Sequence, residues 1–308
     1  MDNPNSTLNN STLHIGIIGL GAIGCLLSSQ LPQSSNILAL PSQPDLSCIL
    51  FQLDTNGQRS QYSIPVWQDE KLDVIIICCK ATQCLSALDL WKNAIHKDSQ
   101  IVLLQNGMGQ HELVASILPN NMIFAASTTE GAYKESTPDN KHQIVHAGQG
   151  VTHWGYYSGP KSSSIQDTTL KLDISQLKGQ HKWHERIEDI LVAKLALNVI
   201  INPLTVKYDC HNGDLINNQS LIQELESLCI ETDIFFKAMH WPLNFDLTER
   251  VKTVAELTAK NRSSMLQDVR AQRETEIDFI NGYLLNKAKT INYELPQHQK
   301  LFDLIKSL

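Results

Sequence analysis

The stretch that most narrows what this chain can fold into lies near its start. Residues 13–18 (LHIGII) run directly into Gly19-Leu20-Gly21-Ala22-Ile23-Gly24, and then into the helix-forming CLLSSQL. Strand, glycine turn and helix in that order make a dinucleotide-binding unit. Gly19 permits the tight turn, Gly21 lets the backbone approach a pyrophosphate, and Gly24 lets the helix pack closely on the strand. The helix N-terminus offers free N–H groups and the positive end of its dipole to the phosphates. An ordinary glycine turn is the plainer reading of the same six residues, and the rest of the chain has to decide.

The expected second strand, 36–40, ends in Leu40-Pro41-Ser42-Gln43, where a ribose-reading residue belongs. An acidic side chain there favours NAD and an arginine favours the 2′-phosphate of NADP; this chain has neither. Residues 49–53 and 61–66 flank Asp54-Thr55-Asn56-Gly57, a hairpin signal in the place of the usual second crossover helix. Residues 72–79 (LDVIIICC) are continuously apolar, as a central parallel strand should be, and end in Lys80. A helix over 83–95 and a strand over 100–104 follow, the latter ending in Asn106-Gly107. Lys80 and Asn106 therefore fall at carboxyl ends of strands, where open α/β sheets bind ligands. A further strand at 124–126 leads to Ser127-Thr128-Thr129-Glu130-Gly131-Ala132. Residues 143–146 and 151–156 alternate like half-buried antiparallel strands. His142, His146 and His153 have no metal-ligand spacing and read as structural or exposed, and 161–178 reads as loop with a short surface element.

From Trp183 the texture becomes helical. Residues 190–205 (ILVAKLALNVIINPLT) are mostly apolar yet carry Lys194, Asn198 and Asn202 at intervals of four. On a helix each step of four turns about 400°, so the three side chains form one polar stripe. Such a stripe faces solvent, or caps neighbouring elements, or supplies a cationic proton donor and two amides to a polar anion. Pro203 marks an end or a kink. Helices at 217–240 (with Leu221, Leu225, Leu228 and Ile230 on a buried face, broken at Trp241-Pro242) and 249–260 follow. A long amphipathic segment then runs through Glu276 to about Thr290.

The formal net charge of −7, without basic blocks, argues against nucleic acid. Residues 1–12 are polar, with no basic patch before an apolar core, and read as a disordered tail rather than a signal peptide. No long uninterrupted apolar run points to a membrane span. Seven cysteines without a framework fit a reducing cytoplasm.

Taken together, GLGAIG, QNGMG, KLALNVIINPLT with HNGDL, and SSMLQDVRAQRETEIDFINGYLL resemble the ketopantoate reductase family. The resemblance runs from Leu13 to the C-terminus. It implies an α/β fold: an N-terminal Rossmann-type doubly wound sheet (13–182) and a helical C-terminal domain (183–308), with the site between. It implies reduction of ketopantoate to (R)-pantoate by NADPH. By position, Gly19, Leu20, Gly21, Ala22, Ile23 and Gly24 would hold the pyrophosphate, and Lys80, Asn106 and Ala132 would line the rest of the cofactor site. Lys194 would be the proton donor. Asn198, Asn202, Asn212 and Ser264 would hold the keto acid, and Glu276 would lie near substrate and cofactor. No metal is implied, and a monomer or homodimer is expected. One departure stands out: the family's usual arginine after the second strand is Leu40, so Ser42 or Gln43 would have to compensate and NAD stays open. Rival readings are a reductase of another branched 2-keto acid and a non-catalytic dinucleotide sensor; a sensor needs no proton donor.

Overall fold

The computed structural model describes residues 12–43, 45–135, 143–160, 168–241 and 243–308. The expectations for the tail (1–11), His142, the loop at 161–167 and Pro242 lie outside the described residues.

The first half holds β1 (His14–Ile18), α1 (Ala22–Gln30), β2 (Asn36–Leu40), β3 (Cys48–Thr55), β4 (Gln58–Pro65), β5 (Val74–Ile77) and α2 (Cys84–Leu90). It continues with β6 (Gln100–Leu103), α3 (Gln110–Ile117), β7 (Ile123–Thr128), β8 (Gly131–Glu135), β9 (Gln143–Gly148), β10 (Val151–Ser158) and β11 (Gln180–Trp183). Among the described residues, seven strands form one sheet in the order β11-β10-β7-β6-β5-β1-β2. From β2 through β7 neighbours pair in parallel, while β10 runs antiparallel to β7. Strand alternation explains why these runs are apolar throughout. Ile15, Ile17, Val74, Ile76 and Val102 face one core, which Leu27 and Leu31 cover. Ile18, Ile75, Ile77, Ile101 and Leu103 face another, covered by Leu88 of α2 and Val114 of α3. Both faces are buried beneath helices, the doubly wound arrangement.

The Asn-Gly hairpin is present. Asn56 and Gly57 both have positive φ (54° and 81°), as the tight turn between β3 and β4 requires. It joins a second, four-stranded sheet of order β4-β3-β9-β8. The two strands expected at 143–146 and 151–156 thus lie in different sheets, β9 antiparallel to β8 and β10 antiparallel to β7. The helix expected over 83–95 is broken into α2 and two flanking 3-10 turns, Ala81–Gln83 and Lys92–Ala94.

The second half contains α4 (Ile187–Lys207), α5 (Asp214–Asn217), α6 (Gln219–Ala238), α7 (Leu247–Leu257), α8 (Ser264–Arg270), α9 (Asn281–Thr290) and α10 (Pro296–Lys306). Helix α4 is the hub, packed on α6, α7, α8 and α10. Three expectations are corrected. Of the end or kink expected at Pro203, the end is not found: α4 runs on to Lys207, because the carbonyl the missing N–H leaves open is taken by another group, with Asn281 Nδ2 donating to the Val199 carbonyl at 2.9 Å. The segment expected to stay amphipathic to Thr290 is interrupted after α8, where Gln272 takes φ 52°, and Glu276 sits in that interruption. Ile230 is 59% exposed, since two residues beyond Leu228 is about 200° around a helix.

The glycine turn shows which glycines serve the fold. A Cβ on Gly24 would meet the Gly19 carbonyl oxygen at 2.2 Å, whereas one on Gly21 meets nothing within 4 Å. Gly24→Ala is therefore expected to destabilise by more than about 3 kcal/mol and Gly21→Ala by less than about 0.5 kcal/mol, with cofactor affinity lost in the latter. Chemical denaturation and cofactor titration of the two variants check this; equal stability would show that the turn yields more easily than its geometry implies.

Candidate active site

Three strand ends, helix α4 and the segment 268–276 bring polar groups together. Lys194 sits two turns into α4, among Leu191, Leu195 and Ala196 of the core. Its residue stays partly exposed, and the ammonium donates to the Thr128 carbonyl at the end of β7, 2.9 Å away. Desolvation pulls its pKa down to about 8, with the attraction of Glu276 working the other way. An ammonium pulled down to about 8 gives up its proton far more readily than an ordinary lysine, as a proton donor must.

Glu276 is 8% exposed and is reached from two strand ends. One oxygen accepts from the Ala81 backbone N–H at 3.0 Å, just after β5; the other accepts from Asn106 Nδ2 at 3.4 Å, just after β6. Burial pushes the carboxyl above its usual range, against the pull of those hydrogen bonds and of Lys80. Asn106 can come so close because Gly107 lies against the Phe279 carbonyl, where a Cβ would be 2.3 Å from the oxygen. Met108 N–H donates to that same carbonyl at 2.8 Å.

Lys80, placed by sequence at a strand end, is tied across the cleft to Asp268 at 2.7 Å and to the Glu274 carbonyl at 2.8 Å. Arg273 shares Asp268 at 3.1 Å. Asn198 and Asn202 follow Lys194 on successive turns of α4, and both carboxamides lack a hydrogen-bond partner among the described residues. Asn212 is held by its own Nδ2 on Thr258 at 2.9 Å and by its backbone N–H on the Asn261 carbonyl at 2.9 Å, leaving its buried Oδ1 unpaired. Ser264 is exposed as the first residue of α8. Its neighbour Ser263 holds the structure together instead. The Ser263 Oγ caps α8 at Leu266 N–H (3.1 Å) and meets Thr205 Oγ1 of α4 at 2.6 Å.

A groove of about 860 Å³ opens beside the glycine turn, lined by Gly19, Leu20, Gly21, Leu40, Ser42 and Gln43. Ala22, Ile23 and Gly24 begin α1 behind it. The open space over Gly21 and the positive φ of Gly19 (88°) form a cradle that a side chain would fill, so the residues fit a dinucleotide pyrophosphate. Ala132 stands apart from this set, on β8 opposite His146.

The expected residues Lys194, Glu276, Asn106 and Lys80 are thus brought together. Sequence reasoning missed the groups that hold them: the Thr128 carbonyl, the Ala81 N–H and Asp268. Backbone groups carry no residue signature. Asp268, though, lay in the same SSMLQD run as Ser264.

Residues 15–159 match the family model described as ketopantoate reductase PanE/ApbA, and 186–308 match its C-terminal counterpart. A 2-dehydropantoate 2-reductase of Yersinia pestis is 33% identical over 300 residues, covering 96% of this chain and 94% of that protein. The same-named protein of Shigella flexneri is 31% identical over the same shares. Among solved structures, a ternary complex of D-mandelate dehydrogenase with NADH and anilino(oxo)acetate superposes with a TM-score of 0.82 at 22% identity, covering 96% of this chain and 97% of that one.

The Lys194 ammonium is expected to titrate near pH 8 by NMR of its Cε. In Glu276→Gln the midpoint should fall further, because the attraction opposing desolvation is gone. An unmoved midpoint would separate the two groups electrostatically.

Proposed function

The chain belongs to the ketopantoate reductase family, and from that premise we propose that it reduces the C2 ketone of 2-dehydropantoate to the alcohol of (R)-pantoate. A reduced nicotinamide dinucleotide supplies the hydride when bound in the groove beside the glycine turn. The observation that carries the reading is Lys194: a charged donor on an apolar helix, held at Thr128 and faced by Glu276.

As negative charge grows on the ketone oxygen, the Lys194 ammonium stabilises it and delivers its proton there. Thr128 orients the ammonium without competing for its charge. Asn198 and Asn202, with free carboxamides on the same stripe, bind the carboxylate and hydroxyl of the substrate; Asn212 and Ser264 close the far side. Glu276, anchored by Ala81 and Asn106, keeps Lys194 protonated at working pH and orients the nicotinamide end of the cofactor. Lys80 completes the cofactor site in this reading, and Ala132, on β8, takes no part in it.

NADPH is the donor we assign. Ser42 and Gln43 line the groove where the family's arginine is replaced by Leu40, so the 2′-phosphate meets hydrogen bonds rather than a guanidinium. Asp89 also lines the groove, paired with Lys92 at 3.3 Å. A single hydrogen bond to a charged phosphate is worth about 1.5–3 kcal/mol, so the preference for NADPH over NADH should be about ten-fold to a hundred-fold in kcat/KM.

Absorbance at about 340 nm, followed with ketopantoate and either cofactor, tests both statements. Turnover should fall as pH rises through about 8, as Lys194 loses its proton. Lys194→Ala should lose about three orders of magnitude in kcat while binding NADPH normally, and Asn198→Ala should raise KM. Wild-type kcat in Lys194→Ala would remove the assigned donor. Better turnover of another branched 2-keto acid would move the substrate, and equal use of NADH would show that the phosphate is not read.

A further inference from the structure

Pro203 lies inside α4 and has no N–H, so the Val199 carbonyl loses its donor one turn on. The Asn281 carboxamide fills that gap from outside the helix, with Nδ2 2.9 Å from the Val199 oxygen. Its other amide hydrogen points to His298 Nδ1 at 3.1 Å. With Nδ1 accepting, the imidazole proton sits on Nε2 and faces Thr232 Oγ1 at 2.8 Å, whose own hydroxyl donates to the Leu228 carbonyl at 2.8 Å. Every proton along this line therefore has one direction. Asn281, Thr232 and His298 are all 0% exposed. Burial pushes the imidazole down to about 3, so it stays neutral and Nδ1 stays an acceptor at any working pH. Asn281 Oδ1 is buried without a partner, a cost which shows that the amide is there for its two donors.

We infer that Asn281 is a positioning residue for the reaction: by holding the carbonyl that Pro203 leaves open, it sets the Lys194–Asn202 face of α4 against the segment that carries Glu276. The inference rests on the ketopantoate reductase reading given above. Val199 adjoins Asn198 on α4. Asn281 starts α9 just beyond the turn Ile277–Phe279, whose Phe279 carbonyl receives Met108 N–H from the sheet at 2.8 Å. One amide thus couples the backbone that bears the donor stripe to the backbone that bears the carboxylate. A helix that lacks one hydrogen bond at a proline has more freedom in aiming its upstream half than one with every bond made, and the Asn281 bond removes that freedom.

The groups around the Lys194 ammonium are Glu276, His153 of β10 and, behind Glu276, Lys80 and Asp268. If the amide is lost, Glu276 and Lys194 drift apart, and less attraction opposes desolvation of the ammonium. The basic limb of the kcat profile then moves to lower pH, a change that loss of stability alone does not produce.

The test compares full-length wild type with Asn281→Ala and Pro203→Ala, below their melting temperatures, with NADPH and ketopantoate. Asn281→Ala should lower kcat by about ten-fold or more, with a smaller change in KM and an unchanged NADPH Kd. Its basic limb should move down by about half a unit. A folded Asn281→Ala with wild-type kcat and an unmoved basic limb overturns the inference. Should that variant fail to fold, Pro203→Ala decides. It returns an in-helix N–H to the Val199 carbonyl, whose two lone pairs are then shared between that N–H and Asn281 Nδ2; the variant should fold, the Asn281 bond weakens, and kcat falls about three-fold or more. Wild-type kcat and pH profile in a folded Pro203→Ala overturn the inference. Absence of ketopantoate turnover in the wild type itself would count instead against the function proposed above.

Discussion

The placement of Glu276 is the interaction on which the rest of the cleft depends. A carboxylate taken out of water costs several kcal/mol unless donors and cations meet it. Here the donors come from two neighbouring strands of the large sheet, through Ala81 and Asn106, while the carboxylate itself belongs to the helical half. Sliding one half over the other would strand a buried charge, so the joint has one low-energy arrangement. Gly107 is the local condition for it, since any side chain there would hold Phe279, and the segment bearing Glu276, away from the sheet.

Helix α4 meets a second demand from the same joint. It must be apolar enough to sit between α6, α7, α8 and α10, yet present an ammonium and two amides to the cleft. Spacing the polar residues by four confines them to one stripe and leaves Leu191, Leu195, Val199 and Ile200 for packing. Partial desolvation, unfavourable for stability, is what brings Lys194 into the range where it can give up a proton.

Much of this was legible in the residues because local rules and tertiary demands agree. Continuous apolar runs marked the central strands, Asn56-Gly57 marked the hairpin, and a period of four exposed the stripe on α4. Where the reading failed, a partner distant in sequence had changed the local outcome. Pro203 read as an end or a kink because nothing nearby shows that Asn281 will occupy the open carbonyl. The segment around Glu276 read as helix because its composition is helical, while its path is set by Ala81, Asn106 and Met108 on the sheet. Of two adjacent serines, family likeness selected Ser264. Only the structure showed that Ser263 is the one locked between Thr205 and the start of α8, which leaves Ser264 exposed. Motifs find residues that face a ligand; the backbone groups that aim them are chemically anonymous.

The apolar character of α4 also bears on how the chain is made. The helix is 21 residues long and an 18-residue window within it has a mean hydropathy of 1.6, long and greasy enough to cross a bilayer by length and composition. It leaves the ribosome well before α10, which helps to cover it, has been synthesised. During that interval Lys194 is the main obstacle to its being taken for an anchor, since a lysine near the centre of such a segment costs about 2.5–3.5 kcal/mol on insertion. The ammonium that serves the cleft in the finished protein therefore also biases the nascent segment toward water. Replacing the stripe with leucine would remove the chemistry and at the same time hand the segment to the membrane-targeting machinery.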